Sequence, residues 1–132
     1  MGFWGVQNFE NDDAVDWAND LMNSPTLRLI PFTLKVVAEG EVELLDVSEC
    51  SNALAAAEVV AALKGFPSPH LPAELAAWLE KQPPPEGEWI ELADRAVRRI
   101  RADSALQQVW DEAGYAVHWR AVVDNLVARL EQ

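Results

Sequence analysis

The sequence predicts an all-α protein: one domain over residues 1–132, a bundle of about six helices around a central Ala-rich helix. Three observations lead there. Apolar residues recur at helical spacing in most segments, as in Ala14, Trp17, Ala18 and Leu21. Side chains that cap helices precede those segments, and glycine or proline follows them. Ala53 to Leu63 is apolar on every side except at Glu58, the pattern of a helix buried within a protein. A chain of 132 residues can bury roughly two-thirds of the surface its unfolded form exposes, enough for one core.

Asn11 caps the first helix, with Asp12 and Asp13 in the first turn, where carboxylates meet the positive end of the dipole. Ser24-Pro25 ends it. Residues 26–46 read two ways. Leu29 to Val37 holds enough β-branched residues for a strand, with Glu39-Gly40 turning into a second strand at Val42 to Val47, a short hairpin across 29–47. Alternatively Pro31 stands in the first turn of a short helix ending at Gly40. We favour the helix because the rest of the chain is helical. Asp46-Val47-Ser48-Glu49 forms a capping box, and the Ala-rich helix it opens runs to Lys64, with Gly65 just past its end.

Phe66 to Pro72 is a stiff connector. Pro72 starts a short helix through Trp78, and Pro83-Pro84-Pro85 ends it as an extended run. Glu88 to Ala102 turns Trp89, Ala93, Ala96, Val97 and Ile100 inward, with Glu91–Arg95 and Asp94–Arg98 spaced for ion pairs. Ser104-Ala105-Leu106-Gln107 is a second capping box, for a helix that stops at Gly114. Tyr115 to Leu130 closes the chain, with Trp119, Val122, Val123, Leu126 and Leu130 on one face.

The net charge is −12, from 10 basic and 22 acidic residues. This argues against nucleic acid or an anionic membrane as direct partner. It favours a basic protein partner reached by electrostatic steering, although the same charge also serves solubility. No apolar run is long enough to span a bilayer, and a signal peptide's n- and h-regions are missing. Cys50 is the one cysteine, which excludes an intrachain disulfide and a Cys-rich zinc site. Together these features predict a cytoplasmic protein. Cys50 itself reads as a small hydrophobe. There is no Gly-rich phosphate loop, no G-x-S-x-G elbow and no H-E-x-x-H pair, so no catalytic residue and no cofactor is expected.

The candidate site lies at the start. The first seventeen residues contain Phe3, Trp4, Phe9 and Trp17 together with four carboxylates. A terminal segment this apolar is expected to pack into the fold. Asp12, Asp16 and Asp20 form an i, i+4, i+8 stripe, and with Glu10 and Asp13 they are the candidate partner-binding residues. Mg²⁺ or Ca²⁺ would need oxygens converging on a point. Carboxylates spaced by whole turns instead spread along about 12 Å of helix, so no metal site is expected. A metal-dependent hydrolase using these carboxylates and Glu58 is the alternative.

Glu58 reads as a structural buried acid, accepting hydrogen bonds from an indole or backbone N–H of the N-terminal segment and pinning that segment to the core. The other reading is a general acid or base. If its donors are neutral, Glu58→Gln should keep most of the stability, while Glu58→Leu should cost about 1–3 kcal/mol. His70 and His118 stand alone and read as surface or capping residues. Arg95, Arg98, Arg99 and Arg101 place four of the ten basic residues on one helix, read as ion pairing with Glu91 and Asp94. Most of the six tryptophans read as core. Trp4 and Trp89 are the least fixed by pattern and are candidates for exposed interface anchors.

Two stretches carry a family resemblance. Gly2-Phe3-Trp4-Gly5-Val6-Gln7-Asn8-Phe9-Glu10-Asn11-Asp12-Asp13-Ala14-Val15-Asp16-Trp17 resembles the opening of bacterial domain-of-unknown-function family 4259, G-x-W-G-x-x-x-F-E-N-D-D-A-x-D-W. Ala55 to Leu63 is similar to that family's A-A-A-E-V-V-A-A-L, and Ser104, Leu106 and Trp110 to a weaker late segment. The resemblance implies a small soluble bacterial domain and transfers no catalytic residue. Size, charge and missing catalytic motifs together point to a non-enzymatic protein-binding domain, of the immunity or inhibitor type, that masks a basic partner.

Overall fold

The Ala-rich segment is the axis of the protein. The computed structural model describes residues 2–41 and 45–132. There are seven helices among the described residues: α1 Asp12–Met22, α2 Leu29–Ala38, α3 Val47–Leu63, α4 Ala73–Leu79, α5 Gly87–Ala102, α6 Ala105–Ala113 and α7 Ala116–Glu131. Among the described residues there is no strand, only an isolated antiparallel bridge between Phe3 and Asn11. Helix α3 packs against all six others. Five of its alanines, Ala53, Ala55, Ala56, Ala57 and Ala61, are fully buried. Side chains this small let neighbouring helices approach closely, since interaxial distance follows the residues at the contact.

Local signals set most helix ends. The Ala14 N–H donates to Asn11 Oδ1 at 2.9 Å. In the Asp46 box the Glu49 N–H donates to Asp46 Oδ1 at 2.8 Å, and the Asp46 N–H to Glu49 Oε1 at 3.1 Å. The end of α3 is closed by Gly65 in the left-handed region, φ +100°. That turn lets the Gly65 and Phe66 N–H groups donate to the Ala62 and Ala61 carbonyls, both at 3.0 Å. The second box is only half formed. The Gln107 N–H donates to Ser104 Oγ at 3.0 Å, but the Gln107 amide turns to Asp111. Ser104 instead donates to the Ile100 carbonyl at 2.7 Å, tying the end of α5 to the start of α6.

The hairpin reading fails over its first strand. Residues 29–38 are helix α2, with Ile30, Thr33, Leu34 and Val37 buried at i, i+3, i+4 and i+7. Burying that stripe against α3 and α5 outweighs the β preference of Ile, Thr and Val. Of the suggested second strand, Val42 to Leu44 lie outside the described residues, and Val47 is the first residue of α3.

Helix α2 has no side-chain cap of its own. Arg99 of α5 donates to the Val37 and Ala38 carbonyls at 2.9 and 3.1 Å, and Arg95 to Ala38 at 3.3 Å. Two guanidinium groups thus meet the negative end of the α2 dipole. This corrects the expected pairing of the arginine cluster. Arg98 does pair with Asp94 at 3.0 Å, and also with Glu131. Arg101 pairs with Asp124 of α7, and no ion pair joins Arg95 to Glu91 among the described residues.

The Trp17 indole N–H donates to Thr33 Oγ1 at 2.8 Å inside the core, joining α1 to α2. Thr33→Val would keep the shape and leave the indole N–H buried without a partner. The unfolding midpoint in urea should fall by the equivalent of about 1–3 kcal/mol.

Candidate functional site

Residues 2–11 fold into a closed loop that precedes α1. The Trp4 N–H donates to the Glu10 carbonyl, the Glu10 N–H to Gln7 and the Asp12 N–H to Gly2, each at 3.0 Å. Within the loop, Phe9 is buried. It lies in the hydrophobic core with Phe3 and Val6 packed against it, and polar contacts add to this anchoring. The buried Asn8 amide donates to Glu58 Oε2 at 2.8 Å, and the Asn11 amide to the Asn8 carbonyl at 3.4 Å.

Glu58, 2% exposed in the middle of α3, is shared with α7. Arg129 grips it with both terminal nitrogens, at 2.9 Å to Oε1 and 3.0 Å to Oε2. Arg129 is itself held by Asn125 Oδ1 at 2.8 Å and by the Phe66 carbonyl at 3.2 Å. A bidentate pair of this kind fixes orientation as well as charge. The donors to Glu58 are therefore a side-chain amide and a guanidinium, where the sequence suggested an indole or a backbone N–H. Three pieces of chain distant in sequence meet at this one carboxylate.

The five candidate acids divide by environment. Asp12, Asp16 and Asp20 are exposed along α1, one turn apart. Asp13 is half-buried and accepts a hydrogen bond from Ser48 Oγ at 3.1 Å, linking α1 to the start of α3. Glu10 is half-buried, and its Oε1 accepts from the Gln7 N–H at 3.1 Å. A Cβ added at Gly5 would stand 2.5 Å from the Glu10 carboxylate, so glycine lets that carboxylate fold over the loop. Among the described residues no three His, Cys, Asp or Glu side chains converge so as to hold a metal ion.

The loop also builds a groove that the sequence did not single out. Phe3, Trp4, Gly5, Val6 and Glu10 face Trp110, Ala113, Tyr115 and His118 across a volume of about 540 Å³. Gly114 ends α6 with φ +81°, and the turn leaves Tyr115 53% exposed. Trp110 is flanked edge-on by Phe3 at 5.4 Å and by Tyr115 at 6.3 Å, and Tyr115 in turn meets His118 at 6.1 Å. Trp4 is 58% exposed, while Trp89 is buried on α5. The available signal was the pairing of an apolar terminus with Trp110 and Tyr115 on either side of Gly114, but contact between them depends on the tertiary fold.

Cys50 is fully buried. Burial pushes its thiol pKa up to about 11, reinforced by Asp46 and Glu49 and only partly offset by hydrogen bonds to the Leu106 backbone and Ser104. At neutral pH the folded protein should therefore resist thiol reagents. Labelling in native buffer should proceed at the rate of unfolding, against prompt reaction in denaturant.

No helix among the described residues is long and apolar enough to cross a membrane. No match is found among curated proteins or among solved structures. Residues 2–122 match the family described as "Domain of unknown function (DUF4259)", a span that includes the N-terminal loop, Glu58 and the groove and stops short of Arg129. Nearly the whole chain is covered, and the protein belongs to this family.

Proposed function

We propose that this is a small non-enzymatic protein-binding domain, of the immunity or inhibitor type, whose acidic surface masks a basic partner. The observation that carries the reading is how the charges are used. Most cations are committed within the fold: Arg95 and Arg99 to α2 carbonyls, Arg98 and Arg101 to acids of α5 and α7, and Arg129 to Glu58. Lys64 donates to the Leu130 carbonyl, and Lys35 pairs with Glu88 at 3.6 Å. Asp12, Asp16 and Asp20 meanwhile line an exposed helix face with no ion pair among the described residues. A net charge of −12 is thus expressed at the surface, where it steers and orients a cationic surface.

The hydrolase alternative would require these carboxylates to converge, and those of α1 diverge along the helix. Glu58, the acid it would add, is fully engaged with Asn8 and Arg129. The test is capture of partners from host lysate on tagged protein, at about 0.05 M and about 0.5 M salt. A stoichiometric basic protein released by salt is expected. A partner retained equally at both salt concentrations would contradict the acidic-surface mechanism.

A further inference from the structure

The groove between the N-terminal loop and the α6–α7 turn has a chemistry of its own. Its lining combines the aromatic side chains of Phe3, Trp4, Trp110 and Tyr115 with a single carboxylate, Glu10. Two of these aromatics, Trp4 and Tyr115, are more than half exposed in a groove of about 540 Å³. Exposing large aromatics costs free energy that burial elsewhere would recover, and such groups mark binding surfaces. Aromatic faces attract a cation through their quadrupole and accept the apolar stem behind it. Glu10 Oε1 is held by the Gln7 N–H, which orients the carboxylate, and Oε2 has no hydrogen bond among the described residues. Aromatic faces together with an oriented carboxylate suit a cation carried on an aliphatic stem, and the net charge of −12 favours the same sign of ligand.

We infer that this groove is an anchoring pocket for one lysine or arginine side chain of a basic protein partner, with Trp4 and Tyr115 enclosing the stem and Glu10 meeting the charged head. The inference rests on the basic-partner reading above and assigns it a point of attachment separate from the α1 stripe. A neutral apolar segment or a small hydrophobic ligand would use the same aromatics without Glu10, and the test separates these.

The probes are Nα-acetyl-lysine methylamide, its arginine counterpart and the uncharged norleucine counterpart, titrated into the full chain. Binding is followed through the indole N–H resonances of Trp4 and Trp110, assigned with W4F and W110F. The cationic probes should shift both resonances and bind about tenfold more tightly than norleucine. E10Q should erase most of that difference with its circular dichroism and melting temperature unchanged. Norleucine binding as tightly as lysine, or no indole shift with any probe, would overturn the inference. The two readings also fail separately. A partner captured equally by wild type and by a W4A/Y115A variant would remove the groove and leave the acidic surface. Cation-selective probe binding without any captured partner would keep the groove and remove the partner.

Discussion

Glu58→Leu should lower the unfolding free energy by about 3–5 kcal/mol, because it leaves the Arg129 guanidinium largely buried beside an apolar side chain. The Arg129 side chain is only 12% exposed and that of Glu58 only 3%, so neither charge is well served by water once its partner is gone. Glu58→Gln should also be costly, against the sequence-based expectation for neutral donors. A glutamine offers one oxygen to the three nitrogens that now converge on two, and its own NH₂ would face Asn8 or Arg129. Glu58→Leu combined with Arg129→Met should recover more than half of the loss, since an apolar replacement for a buried ion pair is often neutral or better. Urea unfolding of wild type, Glu58→Leu, Arg129→Met and the double variant gives the coupling free energy directly. A double variant no more stable than Glu58→Leu would show that the pair is not what holds this corner together.

Trp119→Ala should be the most damaging truncation in the core, at about 3–5 kcal/mol. Trp119 is 1% exposed on α7 and borders the narrow space under the N-terminal loop, alongside Phe3, Asn8, Leu54 and Trp110. Removing the indole would open a cavity against α3 and take support from the loop that builds the groove. Against a total of about 5–15 kcal/mol, the loss is a large fraction of the protein's stability. Trp119→Phe should cost less than half as much, because the ring that remains fills most of the space. Thermal unfolding followed by far-ultraviolet circular dichroism separates the two variants.

Most of the fold was legible because helix ends are local events. The Asn11 cap, the Asp46–Glu49 box and the Gly65 turn each depend on residues within one turn of one another, and each forms as the spacing implies. Segment 29–38 was ambiguous because Ile, Thr and Val favour strands while their spacing favours a helix, and packing on α3 and α5 decides between the two. The ends of the long-range polar contacts were not legible. Glu58 could be recognised as an acid in need of partners, but Arg129 lies 71 positions away. A clue was present: Val122, Leu126 and Arg129 follow one another at i, i+4 and i+7, so the arginine sits at the edge of an apolar stripe. Arg95 and Arg99 escaped for the same reason, since their acceptors are backbone carbonyls of another helix. The acidic stripe was visible in the sequence. The aromatic groove was not, because Trp4 and Tyr115 meet only after the chain has folded.

In the function we propose, the exposed carboxylates of α1 hold a basic partner. This is tested most directly by capturing partners from host lysate side by side on wild-type protein and on a D12N/D16N/D20N variant, at low salt. These side chains are exposed and unpaired by cations among the described residues, so the variant should fold with little change in stability. A basic protein should be retained in stoichiometric amount by the wild type and lost by the variant. The same protein retained equally by both would contradict it.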